Sequence, residues 1–312
     1  MKVSVGDIRL YFDVEGSQLV SNGDQWREKP TLILLHGGPG GDHSMFKPAF
    51  SQLSDIVQIV YLDLRGNGRS DRGAPSAWNL NQWADDIVVF CEALGIHQPI
   101  VLGQSFGGFV AINYAIRHPH HANKLILSST SARFSLQRKV AGFKRRGGAQ
   151  AAAAAEQYWG QDGARFKSLY DRVCRPLYHT TPLAGSRPPT LHYADVLHHF
   201  NNGEYRSYDL RQQMAKIPCP TLIIVGSEDP NTPVEDAEEM AASLTEAAVT
   251  YVRLVGAGHG SWHDRPDAFF QAMRSFICAE PPSHCTTTVD GAHARAQNRD
   301  GGHDKRQHRD AT

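Results

Sequence analysis

The chain has 312 residues, 41% hydrophobic and 21% charged, and its 32 Lys and Arg balance its 32 Asp and Glu. That neutrality argues against a sequence-blind nucleic-acid binder, which needs surplus Lys and Arg to displace counterions. No apolar run approaches the ~20 residues of a membrane helix.

Strand and helix patterns alternate from the start. Met1–Asp7 alternates like a strand and not like a signal peptide. Val3–Val5 and Ile8–Phe12 flank Gly6-Asp7, which predicts an N-terminal hairpin. The polar stretch Ser17–Pro30 reads as a surface loop. Thr31–Leu35 is a continuous apolar run, as expected of a strand buried on both faces. Ile56–Leu62, Ile100–Leu102, Lys124–Leu127, Thr221–Val225 and Val249–Leu254 repeat that pattern. Helical segments are predicted at Leu80–Leu94, Gly107–Arg117, Val234–Leu244 and Pro266–Ala279. Such alternation predicts an α/β fold, a mostly parallel sheet with helices on both faces.

Residues 132–215 interrupt this rhythm. They are too long for a crossover and read as helical pieces: an Ala-rich stretch at Ala149–Glu156, a break at Thr181–Pro189 and a second helix around Leu191–Phe200. We expect an inserted helical cap over one end of a core formed by residues 1–131 and 216–279. The insertion holds 13 Lys and Arg against 6 Asp and Glu, a charge of +7 that leaves −7 on the remainder. Such a surplus fits either a solvated face or a basic substrate-facing lining.

Past Ile277 apolar residues nearly vanish, so residues 280–312 are expected to be disordered. The tail histidines His284, His293, His303 and His308 match no metal-ligand spacing, and no metal or other cofactor is expected. Cys91, Cys174, Cys219, Cys278 and Cys285 also lack such spacing; reduced thiols in a cytoplasmic protein are the economical reading.

Chemistry concentrates in four loops. Gly103-Gln104-Ser105-Phe106-Gly107 is a G-x-S-x-G between a strand and a helix. Its glycines suit a sharp turn that lifts the Ser105 hydroxyl clear of the sheet, with a helix N-terminus behind it. A neutral serine needs a base. His259, in the glycine-rich loop Gly256–Gly260 after the last strand, is chosen over His263 at the start of the last helix. The base needs a carboxylate to set its tautomer. Asp229 follows the strand Thr221–Val225 directly and is preferred to Glu228, and the strand after the nucleophile helix ends at Ser128–Ser131 without an acid. The loop His36-Gly37-Gly38-Pro39-Gly40 emerges beside the serine, so Gly38 and Phe106 are the candidate oxyanion donors, and His36 is expected to orient the loop. It lacks the Lys-Ser/Thr of a phosphate cradle. Asp63 and Arg65 are expected to brace the glycine-rich loop at 63–70. Trp78, Trp83, Phe134, Tyr158, Trp159, Tyr193 and Phe200 are candidates to line a pocket, with Trp159 and Phe200 taken as substrate-binding.

H-G-G-P-G at 36–40, D-L-R-G-N-G-R-S at 63–70, G-Q-S-F-G-G at 103–108, G-S-E-D at 226–229 and G-A-G-H at 256–259 together resemble the α/β-hydrolase superfamily. Within it, the first two motifs are similar to those of the proline iminopeptidase group of serine peptidases. The resemblance spans roughly Val3–Ala279. It implies an α/β-hydrolase fold and cleavage of an N-terminal residue, usually proline, from a small or short-peptide substrate, with the cap supplying carboxylates for the free amine. Family members carry a Glu shortly before a cap segment like His198-His199-Phe200; this chain has Val196-Leu197 there, and Glu204 is the substitute candidate. A carboxylesterase or lactonase is the enzyme alternative, and a non-catalytic small-molecule binder the alternative of another class.

Overall fold

Alternate side chains of Thr31–Leu35 enter two different cores, and that division organises the molecule. In the computed structural model, Ile33 and Leu35 join one cluster of buried side chains and Leu32 and Leu34 another, as the two-residue period of a strand requires. The structure describes residues 1–161, 163–182 and 189–279. The expected disordered tail at 280–312, with Cys285 and its four histidines, lies outside the described residues, as do residue 162 and residues 183–188 of the expected break.

The strands are β1 (Lys2–Val5), β2 (Ile8–Glu15), β3 (Leu19–Asn22), β4 (Gln25–Glu28), β5 (Thr31–Leu35), β6 (Gln58–Leu62), β7 (Ile100–Gln104), β8 (Lys124–Ser128), β9 (Thr221–Gly226) and β10 (Val249–Leu254). Eight of them form one sheet in the order β1-β2-β6-β5-β7-β8-β9-β10. β1 and β2 are antiparallel, β2 runs antiparallel to β6, and every later pair is parallel. The stretch Ser17–Pro30 is not a plain loop. Leu19–Asn22 pairs with Gln25–Glu28 in a two-stranded ribbon whose tight turn puts Gly23 at φ +65°, a conformation glycine adopts without steric cost.

The helices are α1 (Leu80–Leu94), α2 (Phe106–Arg117), α3 (Leu136–Gly160), α4 (Gly163–Val173), α5 (Ala194–Asn202), α6 (Val234–Ser243), α7 (Ser261–Asp264) and α8 (Pro266–Cys278). Buried residues of α1, α2 and α6 join the core that holds Ile33 and Leu35; those of α8 join the core that holds Leu32 and Leu34. Asn79 caps α1 by accepting from the Gln82 N–H, and Gly95 closes it in the left-handed conformation.

α3, α4 and α5 lie between β8 and β9. α3 and α4 share a small core of Phe143, Ala151, Ala154, Ala155, Tyr158, Tyr170 and Cys174. The alanines of the Ala-rich stretch let the two helices approach, and α3 kinks at Gly148, φ +69°. The charge surplus of this segment has an internal partner: Arg133, Arg138 and Arg211 converge on Glu239 of α6, Arg138 also holds Asp236 at 2.7 Å, and Arg145 pairs with Glu235. These four cations are therefore held by acids of α6 rather than turned toward a substrate. Residues 1–279 form one compact unit.

Candidate active site

β7 ends in the tight turn that carries Ser105. Its backbone sits at φ 53°, ψ −116°, a region that L side chains rarely occupy. Steric space explains the neighbouring glycines. A Cβ on Gly103 would lie 2.3 Å from the Gly107 carbonyl oxygen, and one on Gly107 would lie 2.1 Å from that of Leu35. The elbow is pinned from β8 as well: Ser105 N–H donates to Ser128 O at 3.0 Å, and Thr130 Oγ1 donates to Ser105 O at 2.7 Å.

The structure brings Ser105, His259 and Asp229 together. His259 Nε2 lies 3.1 Å from Ser105 Oγ, and its Nδ1 lies 2.8 Å from Asp229 Oδ2. The loop after β10 holds the histidine through its backbone: His259 N–H donates to Tyr178 O at 2.7 Å, and Gln104 Nε2 donates to His259 O at 3.0 Å. Asp229 is buried at the end of β9, where it accepts from Asn231 N–H, Thr232 N–H and Thr232 Oγ1 at 2.8–3.0 Å. Burial pushes its carboxyl up, but His259 and the Thr232 donors outweigh that and hold it below the ordinary carboxylate value. His263, the rival base, is exposed on α7 and packs edge-on against His179.

Gly38 lines the cavity in front of Ser105 at φ +128°, and Phe106 is the first residue of α2, where backbone N–H groups have no intrahelical acceptor. His36 braces the glycine loop. Its buried Nε2 accepts from Leu64 N–H at 3.3 Å, so its Nδ1 carries the proton and donates to Gly37 O at 2.8 Å. Asp63 and Arg65 are structural too. Asp63 accepts from His43 and from Arg69 N–H, while Arg65 forks onto Asp86 at 2.8 Å.

The cavity has a volume of about 380 Å³. Trp159, Phe200 and Tyr158 line it; Trp78, Trp83, Phe134 and Tyr193 do not. Trp83, for example, is fully buried against Phe106 and Phe200. Contrary to expectation, Glu204 does not line the cavity. Its carboxylate accepts from Leu80 N–H at 2.8 Å, outside the cavity lining. A free N–H in the first turn of α1 is a natural partner for a carboxylate, so Glu204 ties its 3₁₀ turn to that helix.

Sequence reasoning missed three residues. Thr232 lies three residues past Asp229, and an Asp side chain that accepts from the next two or three N–H groups is a local turn signature that could have found it. Lys139, on α3, is buried with Nζ 2.7 Å from Asn231 O. Arg175 lines the cavity. Nothing local distinguished these two from the other cations of the insertion.

A mostly parallel sheet with a serine elbow, a histidine loop and an acid loop at the carboxyl ends of β7, β10 and β9 defines a hydrolase class. The α/β-hydrolase-fold family model matches residues 30–266, and the chain belongs to that family. It resembles proline iminopeptidases. It is 26% identical over 280 residues to proline iminopeptidase PfmaB of Pestalotiopsis fici, covering 86% of this chain and 98% of that protein. It is 25% identical to 3-oxoadipate enol-lactonase 1 of Acinetobacter baylyi, over 80% of this chain and 90% of that one. The crystal structure of a Mycobacterium smegmatis proline iminopeptidase superposes with a TM-score of 0.69 at 19% identity, covering 89% and 97% of the two chains.

Proposed function

We propose that the protein is a serine hydrolase that works through an acyl-enzyme, with Ser105 as nucleophile, His259 as base and Asp229 as its orienting acid. The observation that carries this reading is the unbroken relay Ser105 Oγ, His259 Nε2, His259 Nδ1, Asp229 Oδ2 at hydrogen-bond distances. His259 takes the Ser105 proton as Oγ attacks the acyl carbon. The tetrahedral oxyanion is held by the N–H groups of Gly38 and Phe106, each donor contributing about 3–4 kcal/mol. His259 then protonates the leaving group, and the acyl C–O or C–N bond breaks. A water deprotonated by His259 attacks the acyl-serine, and collapse returns Ser105 and a free acid.

Small esters or lactones fit this cavity better than peptides with a free N-terminal proline. Among the described residues, the only carboxylate that lines it is Asp42, and Asp42 is buried and already bonded to Ser44, Arg69 and Leu191 N–H. An ammonium group finds no uncommitted counter-charge there. The exopeptidase reading keeps the support of the curated relatives, and one experiment separates the two. A fluorophosphonate probe is expected to label Ser105, and wild-type protein should hydrolyse a short-chain aryl ester, with Ser105→Ala inert. A proline arylamide should be turned over slowly or not at all. Rapid turnover of that amide, abolished by blocking its amine, restores the exopeptidase reading. No labelling and no turnover would sink the hydrolase reading.

A further inference from the structure

The charged groups around the cavity are not equivalent. Lys47 is committed to Asp13 and Glu15, and Asp42 to Arg69. Arg175 differs. It opens the short 3₁₀ turn Arg175–Tyr178 after α4, and its side chain is 50% exposed while lining the cavity. Its Nε lies a long 3.3 Å from Asp171 Oδ1, and the same carboxylate also pairs with Lys167, so two cations share one anion. Nη1 and Nη2 have no hydrogen-bond partner among the described residues.

Arg175 is also close to the candidate chemistry. Its guanidinium carbon lies 5.7 Å from the centre of the Tyr178 ring. That ring packs edge-on against His259 at 4.9 Å, and the Tyr178 carbonyl holds the His259 backbone. One aromatic ring therefore separates the guanidinium from the imidazole. Tyr170, whose hydroxyl meets that of Tyr178 at 2.8 Å, lines the same wall. A planar fork of donors, always charged and set in an aromatic wall, matches a carboxylate bidentately.

We propose that Arg175 binds a free carboxylate on the substrate, so that the enzyme acts on small half-esters or carboxylated lactones. This rests on the hydrolase reading above for its chemistry. Hydrolysis of a half-ester consumes one water, breaks the acyl C–O bond and passes the His259 proton to the leaving alkoxide. The products are an alcohol and a dicarboxylate. The guanidinium would equally repel a substrate ammonium.

The test compares mono(4-nitrophenyl) glutarate with its neutral methyl ester, with Ser105→Ala as the blank. Wild-type kcat/KM is expected to favour the half-ester at least about tenfold, and Arg175→Gln to lower that ratio at least about tenfold, with partial recovery in Arg175→Lys. A wild-type ratio near one, or a ratio untouched in Arg175→Gln, overturns the proposal. Should Arg175→Gln fail to fold, the wild-type ratio itself is expected to fall severalfold as NaCl rises from about 0.05 to about 0.5 M; a salt-independent ratio overturns it. Calorimetry on Ser105→Ala protein separates the two readings. Selective binding of the half-ester without wild-type turnover of either ester sinks the hydrolysis and supports the anion site. Equal binding of both compounds sinks the anion site.

Discussion

Lys139 donates to Asn231. Its Nζ lies 2.7 Å from the Asn231 main-chain oxygen and 3.1 Å from the side-chain oxygen, and 4.6 Å from the centre of the Trp159 ring. Asn231 N–H in turn donates to Asp229. A lysine of the inserted segment thus supports the turn that holds the candidate acid. In the Lys139→Met variant the turn loses its support, and kcat for an aryl ester is expected to fall about tenfold with KM little changed. Steady-state kinetics at fixed pH check this; an unchanged kcat removes Lys139 from the positioning network.

Burial lowers the Lys139 amine from 10.5 to about 8, against the opposing pull of Asp236 and Asp229. Between those two values the unfolded chain binds a proton there that the folded one does not, so this group's contribution to stability rises with pH across the window. The whole interval is worth about 3 kcal/mol. Urea unfolding of wild type and Lys139→Met at pH values inside and below the window is expected to show wild type gaining on the variant as pH rises. Parallel curves would mean that the amine is not desolvated in the folded protein.

Under the proposed mechanism, Asp229→Asn keeps the shape of the site but removes the charge that sets the His259 tautomer. A loss of about 10⁴ in kcat is expected, as for other triads, without a large change in thermal midpoint. Thr232→Val should act through the same carboxylate more weakly, about tenfold in kcat, because Asp229 keeps its two backbone donors.

Gly107→Ala tests the elbow. The new methyl would meet the Leu35 carbonyl oxygen at 2.1 Å, against backbone that cannot swing aside. A destabilisation of about 3 kcal/mol is expected, read as a lower urea midpoint. A variant of native stability would mean that the turn is looser than its geometry.

Glu239 gathers Arg133, Arg138 and Arg211 from the inserted segment. Partly exposed ion pairs contribute little singly, but three on one acid make a network. Glu239→Gln is expected to cost about 1 kcal/mol at low salt, with the difference from wild type shrinking as salt is raised. A salt-independent cost would point to packing rather than charge.

The sequence by itself determined the parallel sheet, the two-sided burial of Thr31–Leu35, and the three loops that carry Ser105, Asp229 and His259. The reason is local. Apolar periodicity reports which faces are buried, a G-x-S-x-G elbow needs glycines wherever it occurs, and the ends of neighbouring parallel strands lie side by side whatever the connecting helices do. The ribbon Leu19–Glu28 read only as a loop, because its few apolar residues, such as Leu19 and Trp26, stay exposed and show no buried face. Only the tertiary structure decided the fate of the cations and acids in the insertion. Glu204 turned to the start of α1, Arg138 to α6, Lys139 inward to Asn231 and Arg175 into the cavity. Their composition is alike along the chain; what separates them is the packing of helices distant in sequence, which selects the direction of each side chain and the partner it meets.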